Sequence, residues 1–98
     1  MVNSRKKGDN FERRVKKHLQ DRGFFVVRQS ASSFPDLIAI SEKGVNFIEC
    51  KVNKYISKDE RAQLIDLQRF GDISICFNEK GKIKFCDLQY KQKTIYIS

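Results

Sequence analysis

The stretch Pro35-Asp36-Leu37-Ile38-Ala39-Ile40-Ser41-Glu42-Lys43-Gly44-Val45-Asn46-Phe47-Ile48-Glu49-Cys50-Lys51 decides the reading of this chain. Two short apolar runs are joined by four polar residues ending in glycine, the pattern of a β-hairpin. Folding back on itself, such a hairpin brings Asp36 to the same edge as Glu49 and Lys51. Side chains alternate along a strand, so Glu49 and Lys51 share one face and Cys50 points to the other. Two carboxylates and an ammonium thus converge, an arrangement able to hold a divalent metal and a water beside a phosphate.

Upstream of the hairpin, Phe11, Val15 and Leu19 recur every four positions, which predicts an amphipathic helix from Asp9 to about Arg22, ended by Gly23. Glu12 lies close to Leu19 in projection, on the edge of the packed stripe, where Lys16 one turn on would be an ordinary partner. Phe24 to Arg28 is apolar and β-branched and reads as a strand. The polar loop Gln29-Ser30-Ala31-Ser32-Ser33-Phe34 then leads into Pro35.

Downstream, Ser57-Lys58-Asp59-Glu60 has the form of a capping box for a helix from Lys58 to Phe70. Ala62, Leu64, Ile65 and Leu67 supply its buried side in some combination, and Gly71 closes it. Ile73 to Phe77 and Lys82 to Leu88 form a second hairpin, and Thr94 to Ile97 is a candidate last strand. This order predicts an α/β fold, a mixed sheet flanked by helices in which the second helix crosses over between strands. Loose ends are expected in the first seven residues and around Tyr90 to Lys93.

With 98 residues the chain has material for one core, and we expect a single domain over residues 1–98. A hydrophobic fraction of 40% with eight Phe and three Tyr excludes a disordered polyelectrolyte. The formal charge of +8 makes a polyanion the expected partner, nucleic acid first. No long apolar run or basic amphipathic helix with an aromatic face supports a membrane partner. Cys50, Cys76 and Cys86 are odd in number and lack paired zinc or redox spacing, so they are read as reduced core residues of an intracellular, cytoplasmic protein. The N-terminus shows no apolar signal segment.

Phosphodiester cleavage needs a nucleophilic water, neutralisation of charge on the phosphate and protonation of the leaving oxygen. A hard cation, Mg²⁺ with Mn²⁺ as a plausible substitute, would meet the first two needs on Asp36, Glu49 and the main-chain carbonyl of Cys50. Lys51 would orient the water or stabilise the pentavalent charge. Glu12 could reach the outer shell of the metal through water, and Ser32 could hold a phosphate oxygen. Arg5, Lys6, Lys7, Arg13, Arg14, Lys16 and Lys17 form a dense basic end suited to phosphates, and Arg28, Lys54 and Tyr55 join them as expected DNA contacts. On the plainer reading, Glu49 and Lys51 are a surface cross-strand pair and Asp36 caps a turn.

At these residues the sequence resembles the PD-(D/E)XK nuclease superfamily, and within it the archaeal-type Holliday junction resolvases with their viral relatives. Lys6-Lys7-Gly8 with Glu12-Arg13 is similar to the basic-glycine entry and catalytic glutamate of that family. Arg22-Gly23-Phe24-Phe25-Val26-Val27-Arg28 is similar to its helix-to-strand junction. Ser32 matches its loop serine, Asp36 and Glu49 its metal-binding carboxylates, and Lys51 its catalytic lysine. Tyr55 and the run through Leu64, Arg69, Phe70 and Gly71 resemble its second half. The resemblance implies a restriction-endonuclease-like mixed β-sheet flanked by helices. It also implies a homodimer making Mg²⁺-dependent, symmetric paired nicks across four-way junctions, with no small-molecule substrate. Two other functions fit the same residues: a repair, restriction or phage nuclease of the superfamily, and a noncatalytic nucleic-acid-binding module on the same fold. A chain this short leaves little room for a sequence-reading domain, which weighs against the former. The intact acidic residues and lysine weigh against the latter.

Overall fold

The computed structural model describes residues 4–29, 34–52 and 55–93. Ser32, Lys54 and the candidate strand at Thr94 to Ile97 lie outside the described residues, as do the side chains of Arg5, Lys6 and Lys7. Helix α1 (Ser4–Gln20) is followed by strands β1 (Phe25–Arg28), β2 (Leu37–Ser41) and β3 (Gly44–Lys51). Helix α2 (Lys58–Leu67) and strands β4 (Asp72–Glu79) and β5 (Lys82–Cys86) complete the order. The strands form one five-stranded sheet in the order β1-β2-β3-β4-β5. All neighbours are antiparallel except β3 and β4, which run parallel with α2 as the crossover between them. The expected mixed sheet with flanking helices is what the chain forms.

Each helix covers one face of the sheet. Phe11, Val15 and Leu19 of α1 are buried against Val26, Leu37, Ala39, Ile48 and Cys76. On the opposite face Leu64 of α2 packs with Ile73, Ile75, Phe77 and Cys86. Strand alternation explains the sorting, because Ile48 and Cys50 point to α1 while Phe47, Glu49 and Lys51 point to α2. Cys50, Cys76 and Cys86 are all free thiols in or beside these clusters, as expected.

Three details depart from expectation. Helix α1 begins at Ser4 rather than Asp9, since arginine and lysine are good helix formers and one glycine at position 8 does not outweigh them. Helix α2 ends at Leu67, and Gln68 and Phe70 tighten into turns on the carbonyls of Ile65 and Leu67. Of its four candidate core residues only Leu64 is fully buried; Leu67 is half-buried, and Ala62 and Ile65 face out. Nor is the segment from Tyr90 to Lys93 loose. The Asp87 carboxylate accepts from the amides of Gln89 and Lys91, each at 2.9 Å. The Tyr90 ring stacks on Phe77 at 5.8 Å, and the Arg61 guanidinium lies over the Tyr90 ring 5.1 Å from its centroid.

Gly71 follows α2, but its reason is packing and not a left-handed backbone, since the positive-φ glycines are Gly23, Gly44 and Gly81. A Cβ at position 71 would collide with the Val45 carbonyl of β3. The crossover passes so close to the sheet that backbone meets backbone there. Gly71→Ala is therefore expected to lose about 1–3 kcal/mol of stability, the usual range for overpacking, measured by urea unfolding. An unchanged midpoint would show that the crossover shifts freely.

Candidate active site

Asp36 stands immediately before β2, and the β2–β3 register of Leu37 with Ile48 sets it opposite Glu49. Two hydrogen bonds lock the pair to the backbone: the Asp36 amide donates to Glu49 Oε1 at 3.2 Å, and the Cys50 amide donates to Asp36 Oδ2 at 3.0 Å. Each carboxylate is thereby held by the chain segment of the other, so Glu49 is not the surface partner of the plainer reading and Asp36 accepts from a β3 amide instead of capping a turn. Glu49 is only 4% exposed.

Lys51, two residues along the same strand face, places Nζ 3.4 Å from Glu49 Oε2. It also donates to Glu60 Oε2 at the start of α2. Glu60 enters the sequence reading only as a capping residue; a glutamate at the N3 position carries no signal that it also reaches a strand lysine. Burial alone would lower the Lys51 ammonium, but its bonds to Glu60 and Glu49 outweigh that and raise its pKa. Burial likewise disfavours charge on Glu60, and the hydrogen bonds from Lys51 and the Ser57 amide reverse the effect and lower it.

Burial, followed by the charge of Asp36, pushes the Glu49 carboxyl up to about 8. Burial also raises Asp36, against the pull of the Cys50 amide and of Lys51. Two carboxyl groups that resist joint ionisation are relieved by a cation between them. Among the described residues no group of three or more His, Cys, Asp or Glu forms a candidate metal site. The Asp36 and Glu49 carboxylates offer the oxygen donors that a hard divalent cation takes, one or two of them with water completing the shell. The residues fit a divalent metal on this ground. At Cys50 the main-chain group seen to engage the site is the amide, through Asp36.

Glu12 approaches from the α1 face, not from the face that carries Glu49 and Lys51. Its partner is Arg28, whose Nε donates to Glu12 Oε1 at 3.3 Å while its Nη2 donates to Asp9 Oδ1 at 2.7 Å. This replaces the expected pairing with Lys16. Burial and then the charge of Asp36 raise the Glu12 pKa, so the two carboxylates are within electrostatic reach. Arg28, expected at DNA, is thus engaged with two carboxylates of α1. On the rest of α1, Arg13 and Lys17 are exposed and Lys16 is half-buried. Lys17 pairs with Asp21 at 3.4 Å. Arg14 donates to the Gly81 carbonyl at 2.6 Å in the β4–β5 turn. Tyr55 stands 68% exposed on the approach to α2.

The family model for archaeal Holliday junction resolvase (Hjc) matches residues 3–96. The chain belongs to the archaeal Holliday junction resolvase family. Among curated proteins, this family member is 37% identical over 81 residues to the crossover junction endodeoxyribonuclease Hjc of Methanocaldococcus jannaschii. That match covers 74% of the chain and 61% of the relative, so the chain spans about three fifths of the length of the curated protein it matches. Among solved structures it is similar to Hjc of Archaeoglobus fulgidus, a Holliday junction resolvase from a hyperthermophile, with a TM-score of 0.74 and 26% identity. The likeness covers 84% of this chain and 78% of that one. The five-stranded mixed sheet with its two helices is accordingly the restriction-endonuclease-like fold of the family. No described helix is long and apolar enough to cross a membrane.

Proposed function

We propose that this family member is a metal-dependent endonuclease that resolves four-way DNA junctions by paired, symmetric nicks. The observation that carries the reading is the convergence of Asp36, Glu49 and Lys51 at one end of the central β2–β3 pair, in a chain that the family model matches almost throughout. Asp36 and Glu49 would hold the metal, with the Cys50 carbonyl as a further donor and Mg²⁺ as the ion, replaceable by Mn²⁺. The cation supplies neutralisation of the phosphate and activation of the attacking water. Lys51, an ammonium beside two carboxylates, donates to the oxygen on which charge develops. Glu12 acts through the outer shell, oriented by Arg28. Ser32 holds a phosphate oxygen. The basic residues of α1, with Lys54 and Tyr55, position the DNA backbone and read branch shape rather than base sequence.

Paired nicks on opposing strands call for two sites related by a two-fold axis, hence a homodimer. An apolar surface supports this. On the face away from α1, Phe25 lies across from Ile40 and Val27 from Ile38, and Phe25 is 68% exposed. With the family's archaeal members and the reduced cysteines, the same reading sets the protein in the cytoplasm of an archaeal cell or its virus.

The test compares a four-way junction, linear duplex and single strand, with and without Mg²⁺, beside sedimentation of the protein. We expect metal-dependent cutting of the junction at symmetric positions and a particle of twice 11.5 kDa. Equal rates on junction and duplex would remove the resolvase reading and leave a general nuclease. Failure to cut any DNA with Mg²⁺, or with Mn²⁺ in its place, would remove both.

A further inference from the structure

Helix α2 begins with a complete capping box: Ser57 Oγ accepts from the Glu60 amide at 3.1 Å, and Glu60 Oε1 accepts from the Ser57 amide at 3.0 Å. That uses one oxygen of Glu60. The other, Oε2, takes the Lys51 ammonium. A capping glutamate ordinarily turns its free oxygen to water, but here the side chains of Glu60 and Lys51 are each only 24% exposed. Lysine is a point charge on a flexible four-carbon stem, and a single contact with Glu49 at 3.4 Å leaves that stem free to swing. A second anchor on a helix end changes this. The carboxylate of Glu60 is itself fixed by the cap, so the ammonium is held between two groups whose own positions are set by backbone.

We propose that Glu60 is the positioning residue of Lys51, and that the N-terminal cap of α2 is part of the active-site scaffold. The inference rests on the nuclease reading of the preceding section and adds a residue to it. Glu60 touches neither phosphate nor metal in this account; it acts through Lys51. The arrangement also joins the crossover to the site, since Lys51 ends β3 and Glu60 opens the helix that leads to β4.

Capping and positioning have different chemical needs, which makes them separable. A cap requires an acceptor at N3, which glutamine provides, whereas holding an ammonium in a half-buried place requires charge. Glu60→Gln should therefore keep the fold and melting temperature but lower the single-turnover cleavage rate about 10- to 100-fold, the usual effect of removing a group that orients a site residue. Junction affinity measured without metal should not change. Ser57→Ala, which removes the hydroxyl half of the cap, should lower the melting temperature and so marks the size of a pure capping loss, against which the unchanged melting temperature of Glu60→Gln is read. An independent readout is the ¹⁵N signal of the Lys51 ammonium, whose protons should exchange with water faster in Glu60→Gln than in wild type. Wild-type cleavage and unchanged ammonium exchange in Glu60→Gln would overturn the inference alone. If the wild type cuts no DNA, the nuclease reading falls and this inference with it.

Discussion

Asp36→Asn is expected to reduce junction cleavage by about three orders of magnitude or more while leaving junction binding at low salt intact. The substitution changes little in shape: an asparagine oxygen can still accept from the Cys50 amide, now held by Asp36 Oδ2 at 3.0 Å. What disappears is one of the two negative charges proposed to hold the cation, and loss of several kcal/mol of charge stabilisation corresponds to roughly that factor in rate. Lys51→Ala should have a similar effect for the opposite reason, removing the positive charge aimed at the phosphate. In both variants DNA binding persists because it is carried by phosphate contacts spread over the basic surface. A gel-shift assay at low salt with parallel single-turnover cleavage measures the two separately. Normal cutting by either variant would sink the site assignment, and loss of binding with loss of cutting would mean that these residues hold the DNA itself.

Glu49→Gln should raise stability at pH 8 while abolishing cleavage. Burial pushes the carboxyl of Glu49 from its ordinary 4.5 to about 8, so across that window the folded chain binds more protons than the unfolded chain. Stability then falls as pH rises from 4.5 through about 8, at up to about 1.4 kcal/mol per pH unit from this one group. Glutamine cannot ionise, yet its carbonyl can still accept from the Asp36 amide. The variant should therefore show a much flatter pH profile and gain about 1–3 kcal/mol over wild type at pH 8, less whatever the lost Lys51 contact contributes. Added Mg²⁺ should stabilise the wild type at pH 8 by binding the ionised pair, and the variant far less. Urea unfolding at pH 5, 6.5 and 8, with and without Mg²⁺, reads all of this. Equal slopes with pH in the two proteins would show that Glu49 ionises with an ordinary pKa, and equal stabilisation of the two by Mg²⁺ would show that it holds no cation.

These two effects share a cause with the fold. Glu49 sits on β3 with β2 on one side and β4 on the other, under the crossover helix. The strand that carries the proposed site is also a central strand of the sheet, so a charged group kept there has to be desolvated. A stability cost at the site follows from its location.

Much of this was legible in the residues themselves. Two short apolar runs on either side of Ser41 to Gly44 specify a tight hairpin, and a hairpin alone sets Asp36 against Glu49 and puts Lys51 on the same face as Glu49. The four-residue spacing of Phe11, Val15 and Leu19 likewise determines which side of α1 is buried. Those conclusions depend on local geometry with fixed periods, which a sequence displays directly. Other features depend on what packs on what. That Glu12 meets Arg28 instead of Lys16, that only Leu64 of α2 is fully buried, and that Gly71 is required by the Val45 carbonyl all follow from the placement of helices on the sheet. The same is true of Lys51, whose second partner lies on the far side of a crossover. Sequence spacing determined the carboxylate pair; only the tertiary structure decided what holds the lysine beside it, because that contact joins a strand end to a helix cap whose relative position no local pattern encodes.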